Sequence, residues 1–257
     1  MAAGFSSKLS LILNSRKIFK NWYLYPLVYF HIIKKEYVIF ETKTGLKIKI
    51  RVNSTDLMAL THVWMIKEYY DKNFKINEND NIVDVGAHIG LFALYASQYC
   101  KNGKIYCFEP IKENYNLLLE NIRINKNKNI IAYNQAVTKK SSIVKIFLNK
   151  DESGHSMFIE NKNFRNINSK SLSDIFAENN IEKCNFLKLD CEGTEYEIIE
   201  SVKSELLEKI QKTVIEYHMA DTNPELLEKL ISRLKQFSFK VYTKPLFNDI
   251  GFVYGKK

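Results

Sequence analysis

Asp84, Gly86, Gly90 and Glu109 have the types and spacings that handle a nucleotide. Asn81–Gly90 reads Asn-Ile-Val-Asp-Val-Gly-Ala-His-Ile-Gly, a short apolar run that breaks into a glycine turn. Glu109 ends a second apolar run about 20 residues beyond the glycines, where an acid accepts hydrogen bonds from ribose hydroxyls. A dinucleotide site requires Gly-x-Gly-x-x-Gly so that backbone amides face a pyrophosphate. Here His88 takes the middle position, and Asp84 precedes the first glycine. A carboxylate beside the turn repels a pyrophosphate but suits an ammonium group. S-adenosylmethionine carries an ammonium, a sulfonium and a ribose without phosphate, so the pattern favours it over NAD.

A second set of chemical groups lies further along. Asp190 ends an apolar run, Glu192 follows it, and Glu216 and His218 end the next run. A placed base contributes about 10²–10⁴-fold to a reaction in which a hydroxyl must lose its proton. Asp190 is the first candidate for that base or for orienting an acceptor, and Glu192 the second. Glu192 and Glu195 also suit the first turn of a helix, where acids offset the macrodipole. His218 could deprotonate an alcohol, with an unperturbed pKa of about 6.5, or be a satisfied structural histidine. His155 is a further candidate. Asp190 and Glu216 could hold a metal, but no ligand spacing demands one. The cysteines, 100, 107, 184 and 191, form no Cys-x-x-Cys pair, and without a histidine cluster they argue against zinc and for a reduced, cytoplasmic setting.

These groups need elements to position them. Asn81–Val85 and Lys104–Glu109 read as strands, and Phe92, Tyr95, Ala96 and Tyr99 share one helical face between them. Pro110 is expected at the first position of a helix with Tyr115, Leu118, Leu119 and Ile122 inward. A third strand follows near Ile130–Asn134, then a hairpin of 142–148 with 155–159. Ser171 starts a short helix, Asn185–Asp190 and Thr213–Glu216 are strands, and Pro224 opens a helix. Lys240–Thr243 and Gly251–Tyr254 form a closing antiparallel pair. Alternating strands and helices imply an α/β fold with a mainly parallel sheet covered on both faces.

Upstream, Tyr37–Val52 reads as a β-hairpin around Thr42-Lys43-Thr44-Gly45, and Ser54-Thr55-Asp56 caps a helix through about Tyr70. At 257 residues with 46% hydrophobic and 26% charged residues, the chain holds one full α/β core. The division expected is a basic, aromatic extension and hairpin cap over 1–73 and a nucleotide-binding domain over 74–257. The net charge of +9 is uneven: residues 1–51 hold ten cations against two acids. The apolar run Trp22–Ile33, interrupted by Pro26, is too short to cross a bilayer and lacks a following cleavage site. Residues 1–36 therefore read either as a helical cap or as an interfacial contact with an anionic membrane.

Three blocks stand in order: Val83-Asp84-Val85-Gly86-Ala87-His88-Ile89-Gly90, Cys107-Phe108-Glu109-Pro110, and Phe186-Leu187-Lys188-Leu189-Asp190-Cys191-Glu192-Gly193-Thr194-Glu195. Together they resemble the FkbM family of S-adenosylmethionine-dependent methyltransferases. The third block, a lysine-bearing strand running into Asp-x-Glu-Gly-x-Glu, is the most specific. Asn134-Gln135-Ala136-Val137 and Ser171-Leu172-Ser173-Asp174 support it. The resemblance covers about Lys49 to the C-terminus. It implies a Rossmann-like, seven-stranded class I methyltransferase sheet with its last strand antiparallel and helices on both faces. It also implies methyl transfer to an oxygen of a sugar, glycan or other small molecule. By the same resemblance, Asp84, Gly86 and Gly90 hold the methionyl end, Glu109 binds the ribose, and Gln135 and Ala136 lie along the adenine. His88, where such proteins often carry asparagine, and Asp190 complete the cofactor-contacting set.

Two alternatives stay open. The basic N-terminus and a pI of about 9.1 allow an RNA methyltransferase, although no Asn/Asp-Pro-Pro-aromatic motif for base-amine transfer is present. A non-catalytic interaction protein on the same fold is the other.

Overall fold

The computed structural model describes residues 5–70, 73–147 and 163–257. Two helices, α1 (Phe5–Ile18) and α2 (Leu24–Tyr29), lead the chain. Pro26 does not interrupt the apolar run, because it sits in the first turn of α2, where no intrahelical N–H is required. Phe19, Tyr25 and Val28 are buried in the cluster that also holds Ile82 and Phe92. Strands β1 (Tyr37–Glu41) and β2 (Lys47–Arg51) form the expected hairpin, with Gly45 at φ +91° in its turn. The Asn121 side chain pins it to the rest of the fold: Oδ1 accepts from Lys49 N at 2.8 Å, while Nδ2 donates to Ile89 O at 2.9 Å. The helix expected through Tyr70 is shorter. It comprises α3 (Asp56–Leu60), a π-helical turn over Thr61–Ile66, and a stop at Lys67 with φ +61°.

Next come β3 (Ile82–Val85), α4 (Leu91–Ser97) and β4 (Ile105–Phe108). Tyr99 lies past the end of α4 and is exposed, because the chain turns there to donate three amides, from Lys101, Asn102 and Gly103, to Glu78 O. Pro110 likewise precedes α5 (Lys112–Ile124), since Ile111 is extended and gives its N–H to Glu109 Oε1. The inward face of α5 is Asn114, Leu117, Leu118 and Asn121, while Leu119 is exposed. Strands β5 (Ile130–Tyr133), β6 (Ala136–Val137), β7 (Ser142–Phe147) and β8 (Phe164–Lys170) follow. The partner of β7 is β8, which has too few buried apolar residues to signal a strand. The expected partner 155–159, and His155 with it, lie outside the described residues.

The remainder is α6 (Leu172–Glu178), β9 (Phe186–Leu189), α7 (Glu195–Ser201), α8 (Ser204–Lys209), β10 (Lys212–Tyr217), α9 (Pro224–Gln236), β11 (Lys240–Pro245) and β12 (Gly251–Lys256). Ser171 Oγ caps α6 by accepting from Asp174 N, and Pro224 opens α9 as expected.

The main sheet has seven strands in the order β11-β12-β10-β9-β3-β4-β5. Strands β10, β9, β3, β4 and β5 are mutually parallel, and β12 inserts antiparallel between β10 and β11. Alternate residues face opposite apolar layers. Ile82 joins the layer with Phe92 and Leu94, and Val83 and Val85 join the layer with Ile198 and Leu207. The architecture is the expected Rossmann-like, seven-stranded sheet with helices on both faces. Strand order reverses between β3, β4 and β9, and the C-terminal ends there border the crevice in which such sheets bind ligands. Among the described residues, no helix is long and apolar enough to cross a membrane.

Candidate active site

A cavity of about 400 Å³ opens over those strand ends. Its floor comes from Gly86, His88, Glu109, Lys188, Asp190 and Glu216. Apolar walls come from Phe108, Ala136, Val137 and Ile146 on one side and Met58, Val63 and Phe92 on another.

The glycine turn exists to bring two strand ends together. Gly86 has φ +74°, and a Cβ there would stand 1.7 Å from the Asp190 carbonyl oxygen. Asp190 N in turn donates to Val85 O at 3.2 Å. Gly90 serves packing, since a Cβ would lie 2.5 Å from Leu118 Cδ1. Asp84, fully buried, does not line the cavity; its Oδ1 pairs with Lys188 Nζ at 3.0 Å behind the wall. Burial opposes the ammonium charge, but Asp84 and Asp190 hold Lys188 firmly protonated. The same Nζ donates to Gly86 O at 3.0 Å and lies 3.6 Å from Asp190 Oδ2. Lys188 thus ties the glycine turn to the acid that faces the cavity.

Tyr69 crosses from the N-terminal region to the same acids. Its ring packs edge-on against Phe92 and Phe252, at centroid distances of 5.6 and 5.5 Å. Its hydroxyl lies 2.8 Å from Asp190 Oδ2 and 2.7 Å from Glu216 Oε2. The π-helical turn ending at Lys67 delivers it there, a use to which π-helical segments are often put. Burial works to raise the Asp190 pKa, but the charges of Lys188 and His218 and the Tyr69 hydrogen bond bring it below the usual carboxylate value. Glu216 is pushed the other way, to about 8, by burial and by the neighbouring Asp190 charge.

Glu109 is buried, and burial raises its pKa to about 7 against the pull of the Ile111 and His88 amides. Those amides donate to Oε1 and Oε2, each at 2.8 Å. His88 adopts φ +50°, a left-handed conformation that asparagine and histidine tolerate better than most residues. Its Nε2 lies 3.4 Å from Asp56 Oδ1, and burial lowers its pKa to about 4. The imidazole is therefore neutral.

Glu195 is sealed from solvent and does not line the cavity. It accepts from Gly193 N at 2.8 Å and from His218 N at 2.9 Å, and contacts His218 Nδ1 at 3.1 Å. Burial alone would lower the His218 pKa; the Glu195 hydrogen bond and the charges of Glu195, Glu192 and Asp190 raise it to about 10. Glu192, at φ +54° in the turn after β9, lies 3.7 Å from His218 Nε2 and lines the cavity.

Of the residues singled out from sequence, Gly86, His88, Glu109, Ala136, Asp190, Glu192 and His218 line one cavity, and Asp84, Gly90 and Gln135 do not. Sequence reasoning did not find Tyr69, which carries no motif, and it used Lys188 only as part of the most specific block, with no role for its charge. The residues present suit S-adenosylmethionine. Lys188, a floor cation, is committed to Asp84, carboxylates outnumber cations, and a phosphate would find little to bind.

Comparison with known proteins agrees with this geometry. A family model described as the methyltransferase FkbM domain matches residues 84–241. Methyltransferase sdnD of Sordaria araneosa is 26% identical over 171 residues, covering 54% of this chain and 66% of that protein. Methyltransferase 1 of Beauveria bassiana is 23% identical over 157 residues, covering 52% of this chain and 63% of its own. The chain thus spans slightly under two thirds of both. Hexuronic acid methyltransferase AglP of Haloferax volcanii is 21% identical over 208 residues, 78% of this chain and 83% of that protein. A crystal structure of methyltransferase FkbM from Methylobacillus flagellatus shares the fold, with a TM-score of 0.54 at 13% identity over 97% of this chain and 59% of that one. The matched blocks, the sheet order and the acid-lined rim converge, and the chain belongs to the FkbM family of methyltransferases.

Proposed function

We propose that the protein transfers a methyl group from S-adenosylmethionine to a hydroxyl oxygen of a sugar, glycan or other small molecule. The observation that carries this reading is Asp190, an ionised carboxylate at the cavity floor whose position Tyr69 and Lys188 fix. The cofactor, when bound, supplies a methyl carbon already activated by its sulfonium. The protein's part is to align an acceptor oxygen with that carbon, accept its proton and keep water out. Alignment alone can supply several kcal/mol, up to roughly 7–11 for ideal geometry.

Glu109 is assigned to the ribose hydroxyls, and the Phe108, Ala136 and Val137 wall to the adenine. Asp190 takes the acceptor's hydroxyl hydrogen. Met58 and Phe247, both exposed beside the opening, offer apolar surface to the face of a sugar ring. The relative named for hexuronic acid methylation supports a sugar-type acceptor.

The test is incubation with methyl-labelled S-adenosylmethionine and a panel of hexuronic acids, neutral sugars and glycans. Base-stable label on an acceptor is expected, since an ether survives conditions that hydrolyse an ester. Asp190→Asn should largely keep cofactor affinity yet turn over about 10²-fold more slowly. Absence of cofactor binding at millimolar concentration in calorimetry would overturn the reading.

A further inference from the structure

Asp190, Glu216 and His218 come from the ends of two neighbouring strands, and each offers one ligand atom such that all three atoms lie within 4.8 Å of one another. Two features distinguish this from a chance group of acids. First, His218 is buried, with 6% of its surface accessible, and its ring is held from behind. Nδ1 is engaged by the sealed Glu195, which also accepts the His218 backbone N–H. Nε2 is left facing the cavity, 3.7 Å from Glu192 Oε2, and gives up its proton to solvent when a cation binds there. A buried carboxylate behind one ring nitrogen, fixing the other towards open space, is the arrangement that accompanies histidine bound to a metal. Second, the Tyr69 hydroxyl engages Asp190 Oδ2 and Glu216 Oε2 and so leaves one oxygen of each carboxylate without a protein hydrogen bond among the described residues.

We propose that Asp190, Glu216 and His218 bind a divalent cation, and that the cation holds two adjacent oxygens of the acceptor, as in a vicinal diol or an α-hydroxy acid. Two carboxylate oxygens and one imidazole nitrogen suit a cation between the oxygen-seeking and nitrogen-seeking classes, manganese being the natural probe. Three protein ligands leave coordination positions for a bidentate acceptor. A hydroxyl on the cation is both oriented and made more acidic, which relieves Asp190 of acting alone as a base. The acceptor part of this proposal rests on the methyltransferase reading, whereas the cation part does not.

The experiment is titration of the EDTA-stripped full chain with Mn²⁺, followed by electron paramagnetic resonance, with and without S-adenosylmethionine. One ion per chain is expected, with affinity at least about tenfold weaker in Glu216→Gln and in His218→Gln. Glu216→Gln keeps an acceptor for the Tyr69 hydroxyl, so it remains informative if the histidine variant does not fold. Glu41→Gln, on the hairpin far from the cavity, should bind as wild type. No Mn²⁺ bound by folded wild type at millimolar concentration would overturn the proposal, and would leave the acids to the cationic groups of the cofactor. Equal affinity in wild type and Glu216→Gln would also overturn it, as adventitious surface binding. Cofactor binding by calorimetry on the same samples separates the two readings: cofactor without Mn²⁺ removes only the cation site, and Mn²⁺ without cofactor removes only the methyltransferase assignment.

Discussion

Lys188 Nζ lies 3.0 Å from Asp84 Oδ1, with both side chains almost wholly removed from water. The lysine of the strand that runs into Asp190 and the acid before the glycine turn are therefore one buried ion pair. That pair braces the floor on which Asp190 stands, since Lys188 also reaches Gly86 O and Asp190 Oδ2.

Removing Asp84 leaves the buried Lys188 with only the more distant Asp190 as counter-charge. Asp84→Asn should cost about 3–5 kcal/mol of stability in urea unfolding. The double variant Asp84→Asn with Lys188→Met should recover part of that loss. A single variant as stable as wild type would mean that Asp190 alone satisfies Lys188.

Glu109 gives cofactor binding a pH dependence. Its pKa near 7 in the free protein means that the carboxyl is largely protonated below that value and ionised above it. Ribose hydroxyls donate best to the ionised form, so affinity for S-adenosylmethionine should rise from pH 6 to pH 8 with a midpoint near 7. Glu109→Gln should flatten that profile and weaken binding by about 1.5–3 kcal/mol. Calorimetry across this range checks both effects.

His88 should shape the acid limb of stability. Its pKa is lowered from about 6.5 to about 4, so the unfolded chain takes up a proton in this window that the folded chain refuses. The contribution is complete above pH 6.5 and is lost as pH falls through 4. Two and a half units correspond to about 3 kcal/mol at the limit. His88→Asn, which tolerates the same φ, should remove most of that slope. Urea midpoints at pH 7 and pH 4.5 measure it.

The proposed contact with an anionic membrane surface falls to Tyr23, Phe30 and Ile32, which are 54%, 55% and 61% exposed near Lys20, Lys34 and Lys35. Deleting the segment would also strip Phe19, Tyr25 and Val28 from the core, so point variants are the cleaner test. Full-length protein should sediment with anionic vesicles at low salt and be released by added salt. Tyr23→Ser with Phe30→Ser should reduce sedimentation while cofactor affinity stays constant. Wild type that never sediments would leave the segment as a cap only.

Strand ends, glycine turn and rim acids were legible in the sequence because each is encoded within a few neighbouring residues. Alternating apolar runs gave β3, β4, β5, β9 and β10. Parallel βαβ connections then required Asp190 and Glu216 to share one edge of the sheet. Only the tertiary structure decided which groups those acids meet. Tyr69 is 121 positions from Asp190 and 147 from Glu216 in the chain, and no local pattern marks a tyrosine that reaches so far. Asp84 shows the same limit: its type suits an ammonium group, and packing supplied that ammonium from Lys188 two strand positions before Asp190. Glu195 reads from sequence as a helix-start acid, and its full burial against His218 Nδ1 turns it into the group that orients the ring. Helix boundaries at Pro110 and Tyr99 moved for a related reason, because amides there found better acceptors in Glu109 and Glu78 than in another helical turn. Residue type and order limit what a group can do, whereas long-range packing selects the partner with which it does so.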